Sequence, residues 1–183
     1  MRIDVATGLL VGVKQVLSPH FDARPSAVVP DLIVLHGISL PPGEFGGPWI
    51  SRLFTGAHMP PAHHSFFATL AGLRASAHVL VRRDGSLVQF VSFNDRAWHA
   101  GKSAWQGREA CNDYSIGIEC EGTDELPYEQ PQYAALRELL PVLLGAYPAI
   151  TPERIVGHSD VAPGRKSDPG PSFDWSKIRW GHS

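Results

Sequence analysis

A chain of 183 residues with 43% hydrophobic and 19% charged residues is neither disordered nor fibrous, and is long enough to bury about 70% of its unfolded surface in one domain, residues 1–183. Its net charge is −2 and its basic residues form no long run, so there is no electrostatic footprint for a nucleic-acid partner, and no apolar stretch is long enough to imply a membrane partner. Two cysteines, Cys111 and Cys120, exclude a disulfide framework.

The start, MRIDVATGLLVGVKQV, alternates apolar and polar residues. It lacks the continuous apolar core and small-residue cleavage site of a signal peptide, which points to the cytoplasm. Val11 to Val16 reads as an early strand, broken by SPHFDARP, Ser18 to Pro25. The apolar run Leu32 to Leu35 predicts a buried strand ending on His36. A long irregular region follows, in which only Trp49 to Thr55 reads as a short helix; loops this long are usually functional. Ser65 to Leu73 predicts a further short helix. In SAHVLVRRDGSLVQFVSF, two β-rich runs flank Asp84-Gly85, a hairpin signature.

NDRAWHAGKSAWQGREACND is a second long loop. Tyr114 to Gly122 then alternates, with Ile116, Ile118 and Cys120 facing one way and Gly117, Glu119 and Glu121 the other. The longest helix is predicted from Glu129 to Tyr147, its apolar face carried by Tyr133, Leu136, Leu140, Leu143, Leu144 and Tyr147. Pro131 suits its first turn, whereas Pro141 predicts a kink or a split. Thr151-Pro152-Glu153 resembles a capped short turn. Ile155 to Gly157 makes a short strand ending on His158, and PSFDWSKIRW makes a last helix capped by Ser172. The predicted class is α/β, or mixed α+β, with a single central mixed β-sheet flanked by helices.

His36 and His158 thus each end a short buried strand. If the strands are parallel, both imidazoles emerge at one sheet edge, where ligand sites form in α/β folds. Asp168 follows in the loop GHSDVAPGRKSDPG and can fold back over that edge. Two imidazoles and a carboxylate suit catalytic zinc, with a fourth position open for water or substrate. Zinc lowers the pKa of its water, and a nearby carboxylate can take the proton and pass it to a leaving amine. Glu119 fits that role, with Gly117 on the same face leaving space beside it. Lys166 can reach the oxyanion of a tetrahedral intermediate. The plainer alternative is two core histidines, a salt-bridged Glu119 and a solvated turn. The spacing matches no compact motif such as H-E-x-x-H, and both readings stand at this level.

Nearly the whole chain, from GLLVGVKQVLSPHFDARP to PSFDWSKIR, resembles the zinc N-acetylmuramoyl-L-alanine amidases related to peptidoglycan recognition proteins. The resemblance rests on ISLPPGEFGGPWI, SAHVLVRRDG, RAWHAG, CNDYSIGIECEGTD and GHSDVAPGRKSDPG. It implies Zn2+ held by His36, His158 and Asp168, with Glu119 and Lys166 catalytic. It also implies hydrolysis of the amide between the lactyl group of an anhydro-muramic acid and L-alanine. The substrate is then a small soluble anhydro-muropeptide, cleaved in cytoplasmic cell-wall recycling with indirect restraint of β-lactamase expression. A monomer is expected. The chain departs from the family in three places. Gly37 stands in HGIS where members commonly have HNIS, and Ala110 stands where some carry arginine; these bear on substrate contacts, not on reaction type. Pro141 interrupts the long helix.

Other residues admit two readings. Arg74 can hold a peptide carboxylate as a bidentate pair or be a surface charge. Trp98 and His99 can wall a sugar site or anchor their loop to the core. His58, His63 and His64 read as loop residues rather than a second metal site, and Cys111 as an inert thiol. The loops Leu40 to Ser65 and Asn94 to Asn112 are expected to wall the substrate pocket. A binding-only recognition module typically lacks a metal ligand, and an exported wall amidase would carry a signal sequence.

Overall fold

The computed structural model describes residues 1–178. Its strands are β1 (Arg2–Asp4), β2 (Leu9–Val11), β3 (Lys14–Gln15), β4 (Phe21–Ala23), β5 (Leu32–Ile38), β6 (Val79–Val81), β7 (Leu87–Gln89), β8 (Asp95–Ala97), β9 (Ala104–Trp105), β10 (Arg108–Glu109), β11 (Ser115–Glu121) and β12 (Ile155–Gly157). Its α-helices are α1 (Trp49–Thr55), α2 (Gln130–Ala146) and α3 (His158–Val161). Six strands make the central sheet in the order β12-β5-β11-β6-β7-β3. The first four are parallel, β7 runs antiparallel to β6, and β3 is parallel to β7, so the sheet is mixed as expected.

Period-two alternation divides the sheet into two faces. Ile33, Leu35, Ile116, Ile118, Cys120, Val79 and Val81 pack against the apolar side of α2, where Leu136, Leu139, Leu140 and Leu143 are fully buried. Each such leucine contributes about 1.5–3 kcal/mol. The other face carries two smaller clusters. One joins Leu80 and Val88 to Ile50, Leu53 and Phe54 of α1 and to Phe67. The other joins Leu32, Val34 and Val156 to Val161 of α3 and to Tyr114. Ser115, Gly117, Glu119 and His36 alternate onto this second face and form a polar seam.

Several local expectations need correction. Val11 to Val16 is not one strand: Gly12, at φ 78, turns the chain, so β2 pairs with β1 and β3 joins the central sheet. SPHFDARP holds β4, which pairs with β8. The strand expected to stop at His36 continues to Ile38. Ser65 to Leu73 contributes only the 3-10 turn Ser65–Leu70. Pro141 does not split α2, which runs unbroken from Gln130 to Ala146. Pro141 and Arg137, whose carbonyl loses its helical donor, are both exposed, so water can satisfy that oxygen. The final helix is one 3-10 turn, Trp175–Lys177, capped by Asp174 rather than Ser172; Arg179 and Trp180 lie outside the described residues. Among the described residues no helix is long and apolar enough to cross a membrane.

Candidate metal centre

The register of three parallel strands assembles the centre. Glu119 on β11 is the cross-strand partner of His36 on β5, so both side chains leave the sheet on the same face. On the other side of β5, Gly157 pairs with Leu35, which sets the next residue, His158, beside His36. His158 opens α3, and Gly157 N–H donates to Asp160 Oδ2 at 2.7 Å, fixing the turn from strand to helix. The chain then loops back. Ser159 N–H donates to the Asp168 carbonyl at 3.0 Å, and the Tyr128 hydroxyl donates to the Pro169 carbonyl at 2.9 Å, bringing Asp168 over the edge.

His36 Nδ1 lies 3.0 Å from His158 Nδ1 and 3.3 Å from Asp168 Oδ2, and His158 Nδ1 lies 3.1 Å from the same oxygen. Donors bound tetrahedrally at zinc distances would sit roughly 3.3 Å apart, so the three atoms have the mutual spacing of ligands around one ion. Among the described residues, this is the group of His, Cys, Asp and Glu side chains that could hold a metal. Glu119 Oε1 is 4.0 Å from His36 Nδ1, and Glu119 Oε2 is buried with no hydrogen-bond partner. A buried oxygen without a partner, on a carboxyl beside this group, favours a polar ligand there.

Burial governs the charges. It pushes His36 down to about 4, with the neighbouring His158 adding to the shift and Asp168 opposing it. Burial first, then the Asp168 charge, holds Glu119 well above the usual carboxylate range. Burial would also raise Asp168, but hydrogen bonds from His158 and His36 outweigh it and hold its pKa down. The centre therefore offers a neutral His36 imidazole, an ionised Asp168 carboxylate and a second carboxyl, Glu119, with high proton affinity. His99 is held well below its ordinary value, chiefly by burial, and His78 is pushed down to about 3 by burial and the Arg24 charge.

These buried histidines make acid stability testable. An unfolded histidine titrates near 6.5, whereas His36 and His78 in the fold take protons only near 4 and 3. Below pH 6.5 the unfolded chain binds more protons, so stability falls with pH. The Tm of metal-free protein should be level above pH 7 and drop steadily from pH 6.5 to 4. A Tm that rises over that interval contradicts the neutral assignment.

The remaining predicted residues are dispersed. Lys166 is exposed, and its ammonium makes no hydrogen bond or ion pair with the described residues, although its backbone N–H donates to the Ala162 carbonyl; its charge acts on Glu119 and His36. Trp98 stacks on His20 and donates from Nε1 to Asp22 at 2.7 Å, so its ring is tied to β4. Arg74 is exposed on a groove of about 640 Å³ that also has His20, Leu53, Met59 and Phe67 in its walls. Lys102, Glu109, Ala110 and Arg165 share a second groove of about 440 Å³. The two long loops thus each border a groove, and neither groove has His36, His158 or Asp168 in its wall. His58 and His63 are exposed, His63 lying against Trp49, while His64 caps the following 3-10 turn. Cys111 is buried against the Tyr114 hydroxyl.

Two glycine readings change. The space beside Glu119 above Gly117 is filled by His99: a Cβ at Gly117 would fall 2.3 Å from the His99 ring. At Gly37 a Cβ would meet the Tyr128 hydroxyl at 2.4 Å, so that hydroxyl occupies the space an asparagine side chain would need. Sequence reasoning missed Tyr128, and also Arg24, which donates to the carbonyls of Phe93, Asn112, Asp113 and Ser115 and ties the loops to the start of β11.

Residues 26–171 match the family model described as N-acetylmuramoyl-L-alanine amidase. The 1,6-anhydro-N-acetylmuramyl-L-alanine amidase AmpD of Escherichia coli (strain K12) is 58% identical over 172 residues, 94% of this chain and 93% of that protein. The crystal structure of a selenomethionine derivative of AmpD matches with a TM-score of 0.92 and 55% identity, covering 97% of each chain. The N-acetylmuramyl-L-alanine amidase AmiD from E. coli, in complex with the substrate anhydro-N-acetylmuramic acid-L-Ala-D-gamma-Glu-L-Lys, matches with a TM-score of 0.60 and 31% identity. That match covers 85% of this chain and 59% of AmiD.

Proposed function

The chain belongs to the N-acetylmuramoyl-L-alanine amidase family, and on that premise we propose how its residues cleave the amide. It is an amidase of peptidoglycan recycling that hydrolyses the bond between 1,6-anhydro-N-acetylmuramic acid and L-alanine. His36, His158 and Asp168 hold a zinc ion. The observation that carries this is the convergence of their three donor atoms at mutual distances of 3.0, 3.1 and 3.3 Å beside the orphan oxygen of Glu119. Two imidazoles and one carboxylate are a donor set of catalytic zinc and leave a position open. Zinc there supplies Lewis-acid activation of water and of the scissile carbonyl.

Glu119 does the proton work. Its buried, unpartnered Oε2 accepts the proton of the attacking water, and its raised proton affinity keeps that proton available for the leaving amine of L-alanine. Lys166 turns its ammonium towards the oxyanion as the carbonyl becomes tetrahedral. Trp98, from the loop Asn94 to Asn112, and Arg74 contact the muropeptide. The reading includes residues 1–183 as one catalytic domain acting as a monomer in the cytoplasm. Removal of inducing muropeptides then restrains β-lactamase expression, as the family resemblance implies.

The loop carrying His99 and Ala100, which touch His36 and His158, walls the proposed site, and such a site accepts a free chain end better than a sugar within a polymer. Soluble anhydro-muropeptides should therefore be cleaved at least about a hundredfold faster than purified sacculi, roughly 3 kcal/mol in transition-state energy. Rates per accessible lactyl–alanine bond, measured on both substrates, check this. Equal rates would favour an enzyme of the intact wall.

A further inference from the structure

We propose that His99 is a positioning residue that fixes the proton of His36 on Nε2 and so leaves the Nδ1 lone pair free for the metal; this rests on the reading of His36 as a ligand. His36 presents Nδ1 to His158 and Asp168. Its other nitrogen, Nε2, lies 2.9 Å from His99 Nδ1. Beyond it, His99 Nε2 lies 3.1 Å from the hydroxyl of Ser115, at the start of β11. Neutral imidazoles carry one N–H each, so the chain has a direction. If His36 Nδ1 is a ligand, His36 Nε2–H donates to His99 Nδ1, and His99 Nε2–H donates to Ser115 Oγ. Run the other way, His36 Nδ1 would bear the proton and could not ligate. Fixing tautomer and ring orientation in this way is what outer partners of metal-bound histidines do.

His99 is itself held on three sides. Its ring meets that of His36 almost at right angles, 87°, and lies edge-on to His78. The backbone N–H groups of His99 and Ala100 both donate to Asn112 Oδ1, at 3.2 and 2.8 Å, which fixes the turn carrying the ring. The ring occupies the space over Gly117, where a Cβ would lie 2.3 Å from His99 Cγ and 2.6 Å from its Nδ1. Gly117 is thus the seat of this ring, and a methyl group there must push Nδ1 away from His36.

Zinc affinity, measured by competition with a chromophoric chelator, reads the effect without reference to turnover. His99→Leu should weaken zinc binding about 10–100-fold. His99→Asn, which keeps an acceptor near the Nδ1 position, should stay within about threefold of the parent. Gly117→Ala should weaken binding although it touches no ligand. Long-range 1H–15N correlation spectra of the unaltered zinc-loaded protein should show His36 protonated on Nε2 and bare on Nδ1, which settles the tautomer even where a variant folds poorly. Unchanged zinc affinity in folded His99→Leu, or His36 protonated on Nδ1, overturns the proposal. A His36→Ala control separates the two ideas. Loss of zinc there with full affinity in His99→Leu refutes the positioning role alone, while full zinc binding in His36→Ala refutes the ligand assignment and the role with it.

Discussion

Glu119→Gln should lower turnover by about a hundred- to ten-thousand-fold, the usual contribution of a general acid–base group, while metal content and fold stay unchanged. The amide is nearly isosteric with the carboxyl, so the packing of Glu119 beside His36 survives. What it lacks is the ability to accept a proton. Two features suit the carboxyl to this proposed task. Its Oε2 is buried without a hydrogen-bond partner in the protein, so an acceptor oxygen is left uncommitted. Burial and the nearby Asp168 raise its proton affinity, so a proton taken from water is retained long enough to reach an amine. Lys166→Ala should lower kcat with a smaller change in KM, because a charge acting on the oxyanion matters most in the transition state. Steady-state kinetics with metal content measured on the same samples checks both. Near-normal kcat in a zinc-loaded variant removes that residue from the mechanism.

The double variant His158→Ala, Asp168→Ala should lose stoichiometric zinc, whereas the parent should hold about one ion per chain. Two of the three converging donors are gone, and His36 alone cannot hold the ion against dialysis. The loss should also appear as stability. At free zinc a thousand times Kd, binding adds about 4 kcal/mol, roughly 8–16 °C in Tm for a chain of this size. Chelation should therefore lower the parent's Tm by that order and leave the double variant's Tm where it was. Elemental analysis after mild dialysis, paired with thermal melts, measures both. Full zinc occupancy in the double variant refutes the ligand assignment.

The centre was legible where chemistry and periodicity coincide. The apolar run Leu32 to Leu35 marks a buried strand and the alternation Tyr114 to Gly122 a second one, and each leads to a titratable residue at a predictable step. Pairing of β5 with β12 and β11 then brings His36, His158 and Glu119 together, as parallel strands require. What stayed hidden depends on contacts distant in sequence. Strands of two or three residues such as β3, β4, β9 and β10 have too few positions for a period, and only their partners define them. Gly117 reads as free space because the ring that fills it, that of His99, comes from a loop earlier in the chain. Tyr128 over Gly37 is hidden for the same reason. Pro141 misleads in the opposite sense: the rule against interior proline weighs most where water cannot reach the freed carbonyl, and here Pro141 and Arg137 both lie on the exposed side of the helix.

The most direct test is mass spectrometry of the products from a defined 1,6-anhydro-N-acetylmuramyl peptide, with enzyme as purified, after chelation, and after zinc is restored. The account predicts two products from the untreated enzyme: free anhydro-N-acetylmuramic acid and an intact peptide with L-alanine at its new amino terminus. Chelation should abolish both, and about one equivalent of zinc should bring them back. Cleavage at a peptide bond or within the sugar, or the same products at undiminished rate from enzyme shown to be metal-free, would contradict it.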